Sequence, residues 1–443
     1  MNAPAAPLAA ARSIDADERR SHASTYRGSF TPDGATPILF DADEAVAVAE
    51  RFAEEIREAS ADRAIEAIPP LVELERASAL GLTSLFVPRS HGGPEANYWT
   101  LARVISAVAR TNPSVAQILI AQYSLGDVIT DQGTAAQKDH FLPLILAGAR
   151  VANALTEAKT RSAADITTRL SRTGAGRYRL DGEKFYTTGS YVAHYFPVLA
   201  RDDDGAVVYA FIARDAEGLT ILDDWRGIGQ RATVSGTARF DGVAVEEIAV
   251  IRPSGPPRPH SGNTFAQLLH AAVDVGIASG ALDEAVRFLN TKARAWPEAA
   301  VERAAEEPHT IRTFGELKVL EEAADALVER AAGVLALLRT DPDSPTLQTK
   351  AVLAVAAARA AADHAALTAS NEIIALGGAR ASLETWNLDR FWRNARAHTV
   401  HDPIRWRHHA IGNYHLNGVV PPDNARSAAA RTAPSQSRSE IAT

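Results

Sequence analysis

Hydrophobic and polar residues follow a helical period through the first third of the chain. Residues 44–59 place apolar side chains three and four positions apart, with charged groups between them, and this pattern predicts an amphipathic helix. The same pattern recurs at 68–81 and 99–110. Asn112-Pro113 predicts a helix boundary, after which 114–130 begins another helix.

The spacing of hydrophobic residues changes from a helical pattern to a strand-like one in the middle of the chain. Residues 178–188 read as two strand-like runs joined by a turn at Asp181-Gly182. Val207–Ala213 and Gly236–Val245 are rich in β-branched and aromatic residues, which favours further strands. Because no long helix separates these runs, they predict a small antiparallel barrel or sandwich.

Helical periodicity returns after a Pro/Gly/Ser-rich linker at 252–262. Helices predicted near 264–294, 310–340 and 346–376 are far longer than the average of about 11–12 residues, which indicates a bundle. The chain is therefore expected to be α+β and mainly α. Five segments are expected: a flexible tail (1–35), an N-terminal helical domain (36–150), a central β domain (151–258), a C-terminal long-helix bundle (259–422) and a second flexible tail (423–443).

Composition removes several classes of function. The net charge of -8 and the lack of a large basic block argue against nucleic-acid binding. The chain has no cysteine, which excludes disulfides, a thiolate nucleophile and an iron–sulfur site. The apolar run 351–362 contains Arg359 and is followed by Asp363, so it does not predict a membrane span. The N-terminus makes a poor signal peptide, and we expect a cytoplasmic protein.

Two histidines near the end of the third zone are the strongest candidates for chemistry. His398 and His401 lie three residues apart, after a Gly377-Gly378 break and just before Asp402 and Pro403. Residues at this spacing share a helix face. Since the ordinary pKa of histidine is near neutrality, the pair is suited to moving protons.

Two other interpretations of the pair stay open. The histidines and Asp402 can form an ordinary capped helix end with only a structural role. A metal site is a weaker alternative, since His408, His409 and His415 follow but neither an H-E-x-x-H pattern nor a Cys/His spacing is present. We therefore predict no metal.

A glycine pattern in the middle zone imitates a nucleotide site. Residues 227–232 satisfy the dinucleotide pattern G-x-G-x-x-G/A. That pattern needs a strand before it and a helix after it. Residues 233–245 predict a strand instead, so we reject a dinucleotide site.

Four segments together resemble the acyl-CoA dehydrogenase-like flavoproteins, in an order and spacing that cover about residues 40–420. In the last one, His401 falls on the tyrosine and Asp402 on the catalytic glutamate of a pattern like R-D-A-R-x-x-x-I-Y-E-G. In the second, Tyr186 and Thr188 fall on the tryptophan and threonine of G-x-K-x-W-I-T-N. The segments are Asn153-Ala-Leu-Thr-Glu157, Gly182-Glu-Lys-Phe-Tyr-Thr-Thr-Gly189, Asp224–Gly236 and Arg393–Pro403.

Within that superfamily the chain is most similar to the sulfur-acquisition oxidoreductases and the dibenzothiophene monooxygenase family. The likeness lies in Asp223-Asp-Trp225, Asp389–Asn394, His398–Pro403 and Gly412–Gly418. It implies an FMNH2-dependent, two-component monooxygenase that uses O2 to oxidise a small organosulfur compound in sulfur acquisition. Its partner is then a separate NAD(P)H flavin reductase. The long helices of the third zone carry more apolar surface than one chain can bury, which predicts a homotetramer.

The resemblance also implies residue roles. Asn153, Thr188, His398 and His401 are expected at the reacting edge of the flavin, where His401 manages the proton during oxygen activation. Thr156 joins Asn153 and Thr188 in binding the flavin.

The flavin phosphate and the substrate have their own expected contacts. Arg294 holds the FMN phosphate, and Arg380 reaches the same phosphate from a neighbouring subunit. Gln122, Tyr123 and Trp225 line the substrate pocket. Gln122 stands where the relatives have a histidine, and an amide cannot shuttle a proton near pH 7.

Three alternative functions remain open. An FAD-dependent acyl-CoA dehydrogenase needs a carboxylate base, which Asp402 could supply although it is one methylene shorter than glutamate. An N-hydroxylase of the same fold acts on an amine. A non-catalytic flavin-binding protein keeps only the fold, and fold alone does not fix function.

Overall fold

The computed structural model describes residues 30, 36–57, 60, 67–158, 160, 165–253 and 262–421. These residues form a helical N-terminal part, a central sheet and a set of long C-terminal helices, which confirms the α+β, mainly α architecture. Apart from Phe30, the tails expected at 1–35 and 423–443 lie outside the described residues, as does most of the predicted linker.

The N-terminal part contains five helices, and a side chain caps the start of four of them. Asp41 caps α1 by accepting a hydrogen bond from the Glu44 amide at 2.8 Å. Asn112 caps α4 in the same way and Pro113 follows it, as the sequence predicted. The helices are α1 (Ala42–Glu55), α2 (Leu71–Ala79), α3 (Tyr98–Ala109), α4 (Pro113–Gln132) and α5 (Ala135–Leu146).

The central part is one seven-stranded sheet with the order β5-β6-β2-β1-β3-β4-β7. All neighbouring strands are antiparallel except β1 and β3, which run parallel, so the sheet is mixed rather than wholly antiparallel. Its strands are β1 (Arg169–Gly174), β2 (Arg177–Lys184), β3 (Tyr195–Asp202), β4 (Val207–Ala213), β5 (Leu219–Ile221), β6 (Ala238–Glu246) and β7 (Val250–Ile251).

The hairpin turn predicted at Asp181-Gly182 is wrong. Strand β2 continues through both residues, and its register against β6 shifts between Leu180 and Gly182 as in a β-bulge. A Cβ at Gly182 would lie 2.6 Å from the Thr168 hydroxyl. The Asp-Gly pair therefore serves a bulge and a close approach, and the β1–β2 turn lies at residues 174–177.

The C-terminal part is built around one central helix. Helix α6 contacts α3 and α4 of the N-terminal part and three helices of its own part. Helix α8 breaks at Gly378, whose φ is +64°, where the sequence predicted a break. The helices are α6 (Asn263–Thr291), α7 (Pro308–Thr340), α8 (Pro345–Ala381), α9 (Asp389–Thr399) and α10 (Arg405–Asn417).

Two of these helices, α6 and α8, are long and apolar enough to cross a membrane by length and composition alone. The most apolar window of α6 is 89% buried inside the protein, and that of α8 is 56% buried. Burial of this kind is expected for core helices of a folded domain. Short 3-10 turns connect the elements at Leu82–Ser84, Arg89–His91, Arg231–Thr233, Glu247–Ala249, Pro297–Ala299, Ala304–Glu306 and Glu384–Trp386.

Candidate active site

A hydrogen-bonded histidine cluster lies where α6, α8 and α9 meet. His398, in the last turn of α9, is 1% exposed. Its Nδ1 lies 2.6 Å from Oδ1 of Asp274, and its Nε2 lies 2.8 Å from Nδ1 of His270. Asp274 and His270 are one turn apart on α6, so packing of α9 against α6 completes the cluster.

His401 forms the outer end of the cluster. Its backbone amide donates to the carbonyl of His398, and its ring lies over that of His270 with centroids 4.4 Å apart and an interplanar angle of 30°. Desolvation lowers the pKa of His401, and the neighbouring His398 and Arg359 lower it further. The residue remains exposed to solvent, so this desolvation is partial.

The two carboxylates near the histidines, Asp274 and Asp402, each form an ion pair with an arginine. Asp402 pairs with Arg407 at the start of α10. Asp274 is fully buried and pairs with both His398 and Arg359. Burial opposes ionisation of Asp274, but its contacts with His398 and Arg359 more than offset that effect and hold its pKa below the ordinary value.

Asn153, Thr156 and Thr188 lie together at one edge of the central sheet. The Asn153 amide donates to the carbonyl of Thr188 at 2.9 Å. The Thr156 hydroxyl donates to the carbonyl of Phe185 at 2.8 Å. The Thr188 hydroxyl lies 2.8 Å from that of Ser235. The structure thus brings these three residues into one polar group.

A short series of contacts joins this sheet edge to the helix that carries His398. Ser235 contacts the Thr233 hydroxyl, which donates to the carbonyl of Gln230 at 2.7 Å. The Gln230 amide donates to Oδ1 of Asn394 at 2.8 Å. Asn394 is one turn before His398 on α9, so the sheet edge and the histidine cluster flank the same junction between domains.

The contact between this part of the chain and α9 requires a glycine at position 229. A Cβ at Gly229 would lie 1.8 Å from the carbonyl oxygen of Arg393. The strand predicted at 233–245 is confirmed from Ala238 onward, as β6, and a 3-10 turn at Arg231–Thr233 precedes it. Gly229 serves backbone packing against α9. The rejected dinucleotide pattern thus has a packing explanation.

The two arginines expected at the flavin phosphate lie far along α6 from the histidine cluster. Arg380 donates from Nη1 to the carbonyl of Lys292 at 2.7 Å, two residues before Arg294. Both arginines are exposed. They lie beyond the C-terminal end of α6, whereas His270 is in its first third. The 21 residues between 270 and 291 span about 30 Å of helix.

Of the three residues expected in the substrate pocket, Gln122 and Tyr123 lie together inside the N-terminal part, whereas Trp225 lies elsewhere. Gln122 donates to the carbonyls of Thr83 and Ala149 and accepts from the Val151 amide, which uses its polar atoms fully. Tyr123 is fully buried and donates to the carbonyl of Leu82 at 2.6 Å. These contacts give both side chains a structural role inside the N-terminal part, and their place in a substrate pocket stays a prediction.

Trp225 differs from that pair. Its indole donates to the carbonyl of Gln230 at 3.0 Å, and its ring meets Tyr186 edge to face with centroids 6.0 Å apart. It therefore lies at the same junction as the sheet edge, where it can wall a pocket.

His270, Asp274 and Arg359 are site residues that sequence reasoning missed. His270 and Asp274 are the only polar residues within the apolar stretch 268–278, and they are four apart. Polar groups buried in such a stretch need partners. That need is the signal that could have identified them. Among the described residues, no group of three or more acidic, His or Cys residues is arranged to hold a metal ion.

Family models for three successive domains match the chain. They are the acyl-CoA dehydrogenase N-terminal domain at 42–149, the middle domain at 152–243 and the C-terminal domain at 268–406. Together these matches span most of the chain and follow the same order as the helices, sheet and helices described above.

Individual proteins are similar over nearly the same length. Dibenzothiophene monooxygenase of Rhodococcus erythropolis is 32% identical over 397 residues, covering 86% of this chain and 94% of the relative. A probable FMNH2-dependent monooxygenase, SfnC of Pseudomonas putida, is 29% identical and covers 87% and 98%. The crystal structure of FMN-bound TdsC from Paenibacillus sp. A11-2 superposes with a TM-score of 0.81 at 26% identity, covering 85% and 98%.

Proposed function

The chain belongs to the acyl-CoA dehydrogenase family, and from that membership we propose that it is a cytoplasmic FMNH2-dependent monooxygenase that oxidises a small organosulfur compound. The proposal rests on the identity of the acid–base group that faces solvent at the candidate site. Asp402 is paired with Arg407, and Asp274 lies behind two imidazole rings. A histidine, His401, is therefore the exposed acid–base group, whereas a dehydrogenase of this fold needs an available carboxylate.

The donors at the sheet edge fit a flavin ring. Asn153 uses its side-chain oxygen on the Leu155 amide, and no described residue bonds to its side-chain nitrogen. Thr188 presents a hydroxyl in a Ser/Thr network. Reduced FMN supplies the electrons and the oxygen chemistry when bound, and it comes from a separate NAD(P)H flavin reductase. Asn153, Thr156 and Thr188 hold the ring, and His401 moves the proton.

The arginines fit the phosphate of the same cofactor, because a guanidinium makes paired hydrogen bonds to phosphate oxygens. Within one chain, however, they lie about 30 Å along α6 from the histidines, which is longer than an FMN molecule. We therefore place Arg294 and Arg380 together on the FMN of a neighbouring subunit. This differs from the expectation that only Arg380 acts across the boundary.

Exposed apolar side chains on the C-terminal helices support an assembly of several chains, which we propose is a homotetramer. A single chain that leaves such residues in water presents an association surface. The exposed residues include Ile311, Val319, Leu337, Trp406 and Leu416. Each active site would then combine the histidines of one chain with the arginines of another.

Subunit mixing tests this arrangement. Oligomers mixed from His401→Ala and Arg380→Ala chains should regain activity, because half of the sites in a mixed pair receive an intact histidine and both arginines. Oligomers mixed from Arg294→Ala and Arg380→Ala chains should stay inactive, since both arginines come from one chain. Recovery in the second mixture, after verified subunit exchange, contradicts the shared placement, whether or not the first mixture also recovers.

The activity itself is tested with purified protein, NADH, FMN and O2, with and without a flavin reductase. Dibenzothiophene and dimethyl sulfide serve as probes, and ¹⁸O2 labels the sulfoxide or sulfone product. We expect labelled product only with the reductase. Equal product without a reductase contradicts the two-component mechanism. Dye reduction driven by an acyl-CoA, with FAD bound, would instead identify a dehydrogenase.

A further inference from the structure

The histidine cluster continues inward beyond the residues that a reaction at His401 requires. From the surface, His401 stacks on His270, His270 bonds to His398, and His398 bonds to Asp274. Asp274 ends the series in an ion pair with Arg359. His270, His398 and Asp274 are all buried. A buried series of titratable groups carries a desolvation cost, so its retention needs a reason.

The hydrogen bonds assign the protons when the cluster is neutral. Asp274 is a carboxylate and can only accept, so Nδ1 of His398 carries a proton and its Nε2 is bare. Nε2 of His398 can then only accept from His270, so Nδ1 of His270 carries a proton. Nε2 of His270 is left as the basic nitrogen of the series.

Arg359 keeps the inner end anionic. It is 1% exposed, and among the described residues its Nε and Nη2 have no hydrogen-bond partner. A buried guanidinium with two unpaired nitrogens is costly. Its one bond, to Asp274, stabilises the carboxylate and prevents the aspartate from becoming the final proton acceptor.

The groups around His270 limit the cluster to one added charge. His398 and His401 face it from α9 and the turn after it, Arg359 from α8, and Arg407 from α10. Burial lowers the pKa of His270 well below its ordinary value, and each of these neighbours lowers it further. Because the His270 and His401 rings are stacked, charging both would place two cations in contact.

We propose that Asp274, His398 and His270 form a proton relay behind His401, and that the cluster holds one added proton at a time. A proton that reaches Nε2 of His270 displaces the proton on its Nδ1 to Nε2 of His398. The result is an imidazolium at His398 beside the Asp274 carboxylate, with His270 and His401 both neutral. The proton leaves a protonated His401 and reaches His270 through solvent at the site, so His401 loses one proton, the inner series gains one, and no electrons move.

The consequence for the reaction rests on the function proposed above. His401 can give up a proton and recover its neutral form while the charge is stored two residues further in. His270 and Asp274 are positioning residues in this scheme, since they act through His401 and His398. The relay therefore predicts an effect on the pH dependence of turnover as well as on its rate.

The first test uses flavin-free protein and does not depend on activity. Solid-state ¹⁵N NMR of protein labelled with [¹⁵N]histidine reports which ring nitrogen carries a proton. His270→Phe identifies the His270 signals and keeps a ring against His401. At pH 8 we expect both His270 and His398 to be protonated on Nδ1 only. On acidification, one imidazolium should form at His398 before any forms at His270 or His401.

Two variants distinguish a proton relay from a purely structural role of the buried cluster. Asp274→Asn keeps the shape and an acceptor for His398 but removes the charge. We expect the Nδ1 proton of His398 to remain, but an imidazolium at His398 to form only at lower pH, and the acid limb of the kcat profile to shift by at least about one pH unit, with KM nearly unchanged. His270→Phe leaves the Asp274–Arg359 pair intact, so it tests the relay even if Asp274→Asn does not fold.

Specific results would overturn the proposal. A proton on Nε2 of His270 at pH 8, or imidazolium at His270 and His401 together, contradicts the relay. So does a His270→Phe variant with an unchanged pH profile. The expected spectra in a protein without monooxygenase activity would uphold the relay and refute the proposed function, so the two failures are distinguishable.

Discussion

The contrast between His401 and Asp402 separates the two leading functions of this fold. These neighbours have different surroundings: His401 lies over the His270 ring, whereas Asp402 is paired with Arg407. His401→Ala removes the exposed acid–base group, which typically lowers a rate about 10²–10⁴-fold. That loss corresponds to roughly 3–5 kcal/mol of barrier. Reduced flavin should then be diverted to hydrogen peroxide.

Asp402→Asn should be much milder. Asparagine keeps an oxygen that can accept from Arg407, and a partly exposed ion pair contributes about 1 kcal/mol or less. A change of that size lowers activity by about fivefold at most. The expected gap between the variants is therefore at least about twentyfold.

The assay measures oxygenated product and hydrogen peroxide per NADH for both variants, with acyl-CoA-dependent dye reduction in parallel. His408→Ala is a matched control, since His408 is an exposed histidine on α10, outside the cluster. It should retain wild-type product yield. The reasoning is refuted if Asp402→Asn abolishes activity while His401→Ala keeps it, because Asp402 would then be the base of a dehydrogenase.

Two further substitutions test the scaffold around the site. Gly229→Ala would place a methyl group 1.8 Å from the Arg393 carbonyl; we expect a loss of about 1–3 kcal/mol in denaturant titrations and reduced activity, whereas Gly412→Ala, which meets nothing within 4 Å, should be neutral. His194 is buried and accepts from the Arg150 amide, and burial and nearby arginines lower its pKa to about 3. Since the unfolded chain binds a proton at this histidine and the folded chain does not, stability should fall as the pH drops below about 6.5, by about 2 kcal/mol at pH 5. His194→Asn keeps an acceptor for Arg150 without titrating, so an acid-induced loss of stability as large as that of the wild type would contradict this explanation.

Local sequence signals succeeded where structure is decided locally. The boundary at Asn112-Pro113 and the break at Gly378 follow from capping and backbone preferences of the residues themselves. The Asp181-Gly182 turn failed because pairing with β6 on the other side of β2 decides that conformation. A dipeptide that favours a turn can form a β-bulge instead when a neighbouring strand continues past it.

The same distinction between local signals and long-range packing applies to the candidate site. His398 and His401 stood out because they lie close together between two chain breaks, and the sheet-edge residues stood out through motifs. The hydrogen bonds of Gln122 and Tyr123 to the carbonyls of residues 82, 83 and 149 could not be predicted, because they join segments that are distant along the chain. Satisfaction of buried polar groups is a property of the packed molecule.

The residues that sequence reasoning missed change the chemistry of the site most. Asp274 is 124 positions from His398 along the chain, and only the packing of α6 against α8 and α9 brings them together. A carboxylate is thus present behind the reacting position, but two imidazole rings separate it from any substrate. Imidazole exchanges protons near neutral pH, whereas a buried carboxylate fixed by Arg359 cannot reach a substrate carbon. In this chain the exposed acid–base group of the candidate site is therefore an imidazole rather than a carboxylate, which favours managing a proton on oxygen over removing one from carbon.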